Sequence, residues 1–257
     1  MFKPNNMNKY IEAVAAVILI IFFAISCTKP EVPNNGGDNN GQNDSIVTDS
    51  IVTDSIVDVH GYADLGLPSG TLWATCNVGA DVPEDFGDYF AWGETAPKSV
   101  YSWSNYKYGA LVSDRYAFTK YCSDSIYGFN GFVDSLTFLE PSDDAATANW
   151  GADWRMPTGK EWQELFDKTT YMWTDLNGVK GWCFTGFNGN SIFLPAAGYW
   201  WDSSFNGDGG SIYWSNSLNT TYPNRAWAYY ANTETFHLCG SNERNSGQSV
   251  RPVRKGK

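Results

Sequence analysis

Short runs of apolar and aromatic residues follow residue 170, and Gly and Asn separate them. The runs are GWCFT (181–185), SIFL (191–194), SIYW (211–214), RAWAYY (225–230), TFHL (235–238) and SVRPV (249–253). Brief β-prone runs bounded by turn residues, such as NGN at 188–190, are typical of strands that pair in an antiparallel sheet. This pattern restricts the second half of the chain to a sheet of short antiparallel strands.

Two helices are predicted ahead of these strands. One covers residues 142–149, and the other begins at Thr158, where Thr158 and Glu161 have the spacing of a capping box. Trp162, Leu165 and Phe166 then form an inward stripe. Residues 59–79 read as extended segments around a turn at 67–70. Helices before strands predict an α+β domain with an antiparallel sheet.

The N-terminal residues 1–26 have the pattern of a secretory signal. Lys3 and Lys9 precede an apolar run at 13–25, which is shorter than the ~20 residues that a membrane-spanning helix needs. The sequence AISC (24–27) resembles a bacterial lipobox, which implies lipidation of Cys27 and an outer-membrane, surface-exposed protein. An ordinary signal peptide with an accidental Cys is the alternative.

Residues 27–60 are predicted to form a disordered tether. The stretch PEVPNNGGDNNGQN (30–43) cannot bury enough apolar surface to offset its conformational entropy. A repeat of Asp-Ser-Ile-Val follows, and each repeat resembles an O-glycosylation acceptor of certain Gram-negative bacteria, with Ser45, Ser50 and Ser55 as the acceptors. A repeat without function, or an edge strand built from the Ile-Val pairs, is the alternative.

Composition excludes some partners of the remaining domain, residues 61–257. The net charge of the whole chain, −11, argues against nucleic acid as a partner, because nucleic acid requires a basic patch. Cys76, Cys122, Cys183 and Cys239 allow either two disulfides or four thiols, and the sequence does not choose between them. The chain contains two His residues and no Cys pair at metal-ligand spacing, so we expect no structural zinc site.

Six ordered motifs in the domain carry a resemblance to a known family. They are DLGLPSGTLWA (64–74), GDYFAWGE (87–94), DDAA (143–146), WRMPT (154–158), IFLPAAG (192–198) and GQSVRPV (247–253). Together they resemble the Fibrobacter succinogenes major paralogous domain, or FISUMP domain. The resemblance implies a C-type lectin-like fold, in which late strands and loops form a variable recognition surface on a compact frame.

Catalytic and metal-binding motifs are not recognised in the sequence. Neither His lies in a nucleophile motif, and Asp143 and Asp144 are best explained by the favourable interaction of acidic residues with a helix N-terminus. EPS (140–142) and WSN (214–216) depart from lectin calcium motifs at the ligand positions. The segment 202–208 matches only the front half of a calcium loop. We therefore expect no cofactor, no metal and no enzymatic activity.

The sequence favours a non-catalytic recognition module for an extracellular glycan or protein, held to the membrane by its lipid anchor. Its late loops are rich in the residue types that concentrate binding energy. The candidate ligand-binding residues are Trp200, Trp201, Tyr222, Asn224, Arg225, Asn242 and Arg244. In contrast, Trp73, Trp154 and Trp162 are assigned to the core. A structural, self-associating coat protein is the alternative, and an extracellular enzyme is a third.

Overall fold

The structure is a computed structural model that describes residues 60–207, 210–231 and 236–256. The predicted signal, the lipidation site Cys27 and the acceptors Ser45, Ser50 and Ser55 lie outside the described residues. The tether was predicted to extend to residue 60. However, the His60 ring stacks on Trp150 with ring centroids 3.8 Å apart, so His60 already belongs to the folded part.

The described residues form fifteen short strands and two α-helices. The helices are α1 (Ala145–Trp150) and α2 (Gly159–Lys168). The strands are β1 (Tyr62–Asp64), β2 (Thr71–Ala74), β3 (Tyr89–Phe90), β4 (Leu111–Val112), β5 (Arg115–Tyr116), β6 (Thr169–Leu176), β7 (Val179–Gly186), β8 (Ser191–Pro195), β9 (Tyr199–Trp201), β10 (Ser204–Asn206), β11 (Ser211–Leu218), β12 (Arg225–Ala231), β13 (Phe236–Glu243), β14 (Gln248–Ser249) and β15 (Val253–Lys255).

The strands pair almost entirely in antiparallel fashion, which confirms the predicted α+β class. The sheet orders are β13-β12-β11-β14-β3, β6-β7-β8 and β1-β2-β15, with two separate hairpins, β4-β5 and β9-β10. One parallel pair, β11 with β14, interrupts the pattern. The predicted run SVRPV is divided between β14 and β15, which belong to different sheets. Pro252, which has no N–H to donate, lies between them.

Side-chain caps define both helices. The Thr158 hydroxyl accepts from the Glu161 N–H, and Glu161 reaches back to the Thr158 N–H, so the predicted capping box is confirmed. The first helix begins later than predicted, at Ala145, because Asp144 is its N-cap and accepts from Ala146 and Thr147. The preceding Pro141–Asp143 form a short 3-10 helix instead.

The β11–β12 pair has a packed core on each face. On one face Tyr213 and Tyr229 pack with Trp162 of α2, and the Trp162 and Tyr229 rings stack 4.7 Å apart. On the other face Ile212 and Trp214 belong to a second buried cluster. The predicted core residues Trp73, Trp154 and Trp162 are all buried, which confirms their assignment.

Cys122 and Cys183 carry free thiols, so two disulfides among the four domain cysteines are excluded. Within the ranges that the structure describes, we find no helix with both the length and the apolar character needed to span a membrane.

A candidate binding groove

A groove of about 630 Å³ lies between the β9–β10 hairpin and the strands β11, β12 and β13. Its floor includes Ile212, Ala228 and Gly240, which are small or apolar residues on three neighbouring strands. These side chains project little above the sheet, so the floor of the groove is open. The β9–β10 hairpin forms one wall, and the residues at the outer ends of β12 and β13 form the other. The groove has the size of a site for a small ligand or a few sugar residues.

The β9–β10 hairpin supplies the aromatic wall through strand alternation. Tyr199 and Trp201 on β9 pair with Asn206 and Ser204 on β10, and all four line the groove. Successive side chains of a strand point to opposite faces, so Trp200, between Tyr199 and Trp201, points away from it. Trp201 is 41% exposed, which leaves its indole face accessible to a ligand.

The opposite wall is polar and includes one positively charged and one negatively charged residue. Arg225 on β12 and Glu243 on β13 are cross-strand partners, and Ser241 and Asn242 lie beside them. Arg225 Nη1 donates to the Ser241 carbonyl at 3.2 Å, and Glu243 accepts from Trp103 Nε1 at 3.1 Å. These contacts orient both charged side chains before any ligand arrives.

The groove brings together three of the seven predicted ligand-binding residues, Trp201, Arg225 and Asn242. Tyr222 is 54% exposed but lies in the β11–β12 turn, outside the groove lining. Trp200 is half-buried, and its ring contacts Tyr89 and Phe205 on the other face of the hairpin. The prediction that Trp200 and Trp201 share one recognition surface is therefore wrong.

Asn224 is also a structural residue rather than a surface one. Its side chain is buried, and its Nδ2 donates to the Tyr116 hydroxyl at 3.2 Å. Its carbonyl accepts from the Arg244 N–H at 3.1 Å. Asn224 thus joins the β11–β12 turn to β5 and to the end of β13, and its amide is unavailable to a ligand.

Arg244 is the clearest correction to the sequence-based site. Its side chain is 0% exposed, although its neighbours Asn242 and Glu243 line the groove. Its guanidinium donates to the Tyr106 hydroxyl and to three backbone carbonyls, those of Lys120, Tyr121 and Pro223. It also lies 4.4 Å from the Phe118 ring centroid. A guanidinium with these partners holds the frame together and does not reach a ligand.

A second buried arginine has a similar structural role. Arg251, from the motif GQSVRPV, donates to Asn77 Oδ1 at 2.8 Å and to the carbonyls of Ala74, Thr75 and Phe193. Burial lowers the pKa of Arg251 below the usual range for arginine. These hydrogen bonds join β8 to the end of β2 and the residue after it. The arginine of this motif therefore has a structural role.

Asp143 and Asp144 are adjacent in sequence but have different environments. The Asp143 carboxylate accepts from Lys107 at 3.1 Å, from Lys120 at 2.6 Å, and from the Tyr108 and Tyr121 hydroxyls. Burial opposes its ionisation, but these donors outweigh burial and hold the pKa of Asp143 at about 2. Burial instead raises the pKa of Asp144. The sequence explained both residues by the interaction of negative charge with the helix N-terminus, and in the structure Asp144 is the N-cap of α1 whereas Asp143 is held by lysine and tyrosine side chains.

A second groove, of about 640 Å³, lies beside the N-terminus of α2. Phe138, Gly159, Gln163, Leu218 and Trp227 contribute to its lining. Thr137, Thr158, Lys160, Ser217 and Thr220 also line it, but most of its exposed surface is apolar. The groove beside the β9–β10 hairpin is therefore the better candidate for a specific polar ligand.

Sequence reasoning missed several groove residues: Tyr199, Ser204, Asn206, Tyr230, Ser241 and Glu243. The signal that could have found the first three is the alternation Tyr199-x-Trp201 followed by Ser204-x-Asn206, which places all four side chains on one face. Within the residues that the structure describes, no group of three or more His, Cys, Asp or Glu side chains could hold a metal ion.

Comparison of the chain with known family models, curated proteins and solved structures finds no match. The likeness to the FISUMP domain and to the C-type lectin-like fold thus depends on the six motifs alone. The chemistry of the groove must be interpreted from its own residues.

Proposed function

We propose that the protein is a non-catalytic recognition module that binds an extracellular glycan in the groove beside the β9–β10 hairpin. The observation that carries this proposal is the position of Trp201 and Tyr199 next to Ser204 and Asn206 on one exposed face. Together they offer apolar ring surface and hydrogen-bonding groups to the same ligand.

The chemistry of a sugar ring fits this combination. A pyranose has one face of C–H bonds, which stacks on an aromatic ring, and a rim of hydroxyl groups, which donate and accept hydrogen bonds. The indole of Trp201 provides a rigid amphipathic surface, and Asn206 and Asn242 each carry an amide with both donors and an acceptor. Opposite charges on Arg225 and Glu243 favour a ligand without a large net charge.

The arrangement of carboxylates supports binding rather than catalysis. Glycoside hydrolysis generally requires two carboxyl groups that flank the scissile bond. Among the described residues that line the groove, Glu243 is the only one with a carboxylate, and its Oε2 accepts a hydrogen bond from Trp103 Nε1. The ion-paired Asp143 lies outside the groove lining.

The wider setting of this module is part of the same proposal. Residues 61–257 are proposed to be a FISUMP-type domain with a C-type lectin-like fold, attached to the outer membrane through lipidated Cys27. The buried positions of Trp73, Trp92, Trp154 and Arg251 within the motifs support this assignment, because motif residues that build a frame belong inside it. A protein ligand is the alternative occupant of the groove.

Binding of the mature protein to glycan and protein arrays tests the proposal. We expect glycan signals that Trp201→Ala weakens at least tenfold, because a stacking aromatic anchor is worth more than about 1.4 kcal/mol. Tyr222→Ala is the matched control, since Tyr222 is an aromatic residue that is more exposed than Trp201 and lies outside the groove, and its signals should not change. The absence of any signal on the glycan array, or an equal loss of signal in both variants, contradicts glycan binding at this groove.

A further inference from the structure

Two opposite charges lie side by side on the polar wall of the groove and do not pair with each other. Arg225 on β12 and Glu243 on β13 are directly opposite in the antiparallel register, and both line the groove. Directly opposed residues share one face of a strand pair, where opposite charges stabilise each other. In the part of the chain that the structure describes, however, no ion pair joins these two side chains, and each has a different partner.

A second pair of opposite charges in the same protein behaves differently. Asp175 on β6 and Lys180 on β7 are also directly opposite and exposed, and Lys180 Nζ lies 3.4 Å from Asp175 Oδ2. That pair satisfies its own charges. A directly opposed position on neighbouring strands therefore does not by itself keep two charged groups apart in this protein.

The partners of Arg225 and Glu243 are neutral groups. Arg225 Nη1 donates to the Ser241 carbonyl at 3.2 Å, and Glu243 Oε2 accepts from Trp103 Nε1 at 3.1 Å. These contacts orient the guanidinium and the carboxylate but do not neutralise either charge. Each charged group also keeps hydrogen-bonding capacity for a ligand, because a guanidinium has several N–H donors and a carboxylate has two oxygens.

We propose that the sugar bound in this groove is zwitterionic, with an ammonium group that binds Glu243 and a carboxylate that binds Arg225. The inference rests on the proposed function, since it names the class of glycan that the groove takes. A ligand with a single charge would attract one of the two side chains and repel the other. A ligand with one charge of each sign attracts both.

An amino uronic acid carries both charges on a single sugar ring. Its amino group on carbon C2 and its carboxylate on carbon C5 project from opposite sides of the pyranose, so they can reach two side chains that do not touch each other. The faces of the ring stay free of charge. One face can therefore stack on the exposed indole of Trp201, on the hairpin wall of the same groove.

Four methyl glycosides of one amino uronic acid test the inference. They are the free zwitterion, its N-acetyl form, its methyl ester and the form with both groups blocked, so that each charge is removed in turn while the ring stays the same. Titration calorimetry with the mature protein should show the zwitterion binding at least about fivefold more tightly than the doubly blocked form, the gain expected from two partly exposed ionic contacts. Both singly blocked forms should bind less tightly than the zwitterion.

Two protein variants assign each ligand charge to its partner. Glu243→Gln keeps an acceptor for Trp103 but removes the negative charge, so N-acetylation of the ligand should no longer change its affinity, whereas esterification should still weaken binding. Arg225→Gln should show the reverse. Each comparison is a thermodynamic cycle that measures one contact between protein and ligand.

The other cross-strand pair supplies matched controls. Asp175→Asn and Lys180→Gln change the net charge of the chain by the same amounts, and both positions lie outside the groove lining. Neither substitution should alter the affinity for any of the four glycosides. If either one removes the preference for the zwitterion, the preference comes from overall charge, and the assignment to Arg225 and Glu243 is wrong.

The results for wild type separate this inference from the proposed function. Equal affinity for all four glycosides overturns the zwitterionic ligand, while array signals that depend on Trp201 would still support a glycan site. An exchanged assignment, in which Arg225→Gln removes the effect of N-acetylation, also overturns the inference. It fails as well if none of the four glycosides binds, and the glycan array then decides the proposed function by itself.

Discussion

Arg244 Nη1 donates a 2.9 Å hydrogen bond to the carbonyl of Tyr121, a residue with a φ of 57°. A positive φ is unfavourable for a bulky residue and persists only when its surroundings fix it. The Tyr121 N–H also donates to Asp134, and its hydroxyl donates to Asp143. Arg244 and Tyr121 therefore connect the end of β13 to the long segment ahead of α1.

Replacement of Arg244 with Ala should lower the free energy of unfolding by about 3 kcal/mol or more, because it leaves several buried acceptors without donors. Arg225→Ala is the matched control, since Arg225 is exposed, and it should change stability by no more than about 0.5 kcal/mol. Urea denaturation followed by tryptophan fluorescence measures both. Equal small losses would show that Arg244 is not part of the frame.

Trp162→Ala should cost about 3–5 kcal/mol, because Trp162 is buried between Trp73 and Tyr229. Trp201→Ala should leave the melting temperature within a few degrees, since its ring is partly in solvent. Calorimetry of the two variants distinguishes frame from groove. If Trp201→Ala unfolds the protein as severely as Trp162→Ala, the hairpin wall is part of the core.

Local sequence was sufficient for the capping box at Thr158, the helix stripe at Trp162 and most of the late strands. It failed where distant segments decide burial. SNERN (241–245) has the composition of an exposed turn, and Arg244 is buried only because residues more than a hundred positions earlier cover it. Similarly, WW at 200–201 gives no indication of which ring faces out, since that depends on the β9–β10 register.

Strand β6 was missed for a related reason. TTYMWTDL (169–176) directly follows α2 without a Gly or Pro to mark a boundary, so its start is hidden in the sequence. The turn at Asn177-Gly178 is a strong hairpin signal and could have revealed the β6–β7 pair. The polar groove residues were missed because Ser and Asn are common in ordinary turns.

Acid should weaken the contacts around Asp143. Its pKa is about 2 in the folded protein and about 3.9 in an unfolded chain, so its contribution to stability is complete above about pH 5 and is lost as the pH falls towards 2. Urea midpoints measured across this range should fall more steeply in wild type than in Asp143→Asn.

The difference between these two curves isolates Asp143 from its neighbour. Burial raises the pKa of Asp144, so the contribution of Asp144 has the opposite sign and is lost as the pH rises. Asp144 is present in both proteins, and its effect therefore largely cancels. Parallel curves for wild type and Asp143→Asn would contradict the stabilising role of the ionised Asp143 carboxylate.

Cys27→Ser should leave the protein unprocessed or release it from the membrane fraction. One acyl chain gives only marginal membrane binding, so stable attachment requires the several chains that a lipidated N-terminal Cys carries. Fractionation of native-host cells, followed by immunoblotting, measures the change. Normal processing with full membrane retention is the outcome that excludes lipidation at this residue.

Replacement of Ser45, Ser50 and Ser55 with Ala should sharpen and lower the apparent mass of the protein produced in its native host. Each glycan adds mass and heterogeneity, whereas the loss of three hydroxyl groups alone is too small to detect on a gel. An unchanged band, with the same protein from a host without this glycosylation as reference, would reduce the repeat to a spacer.

The way in which the chain enters the domain has a mechanical consequence. Within the described residues β1 is a three-residue strand that pairs with β2 alone, and the His60 ring ahead of it stacks on Trp150, so a pull applied at His60 acts on these two contacts. β15 holds β2 from its other side, and the groove strands β11, β12 and β13 belong to a different sheet. Tension on the N-terminus would peel β1 away before it distorted the groove, so a bound ligand could be retained under load.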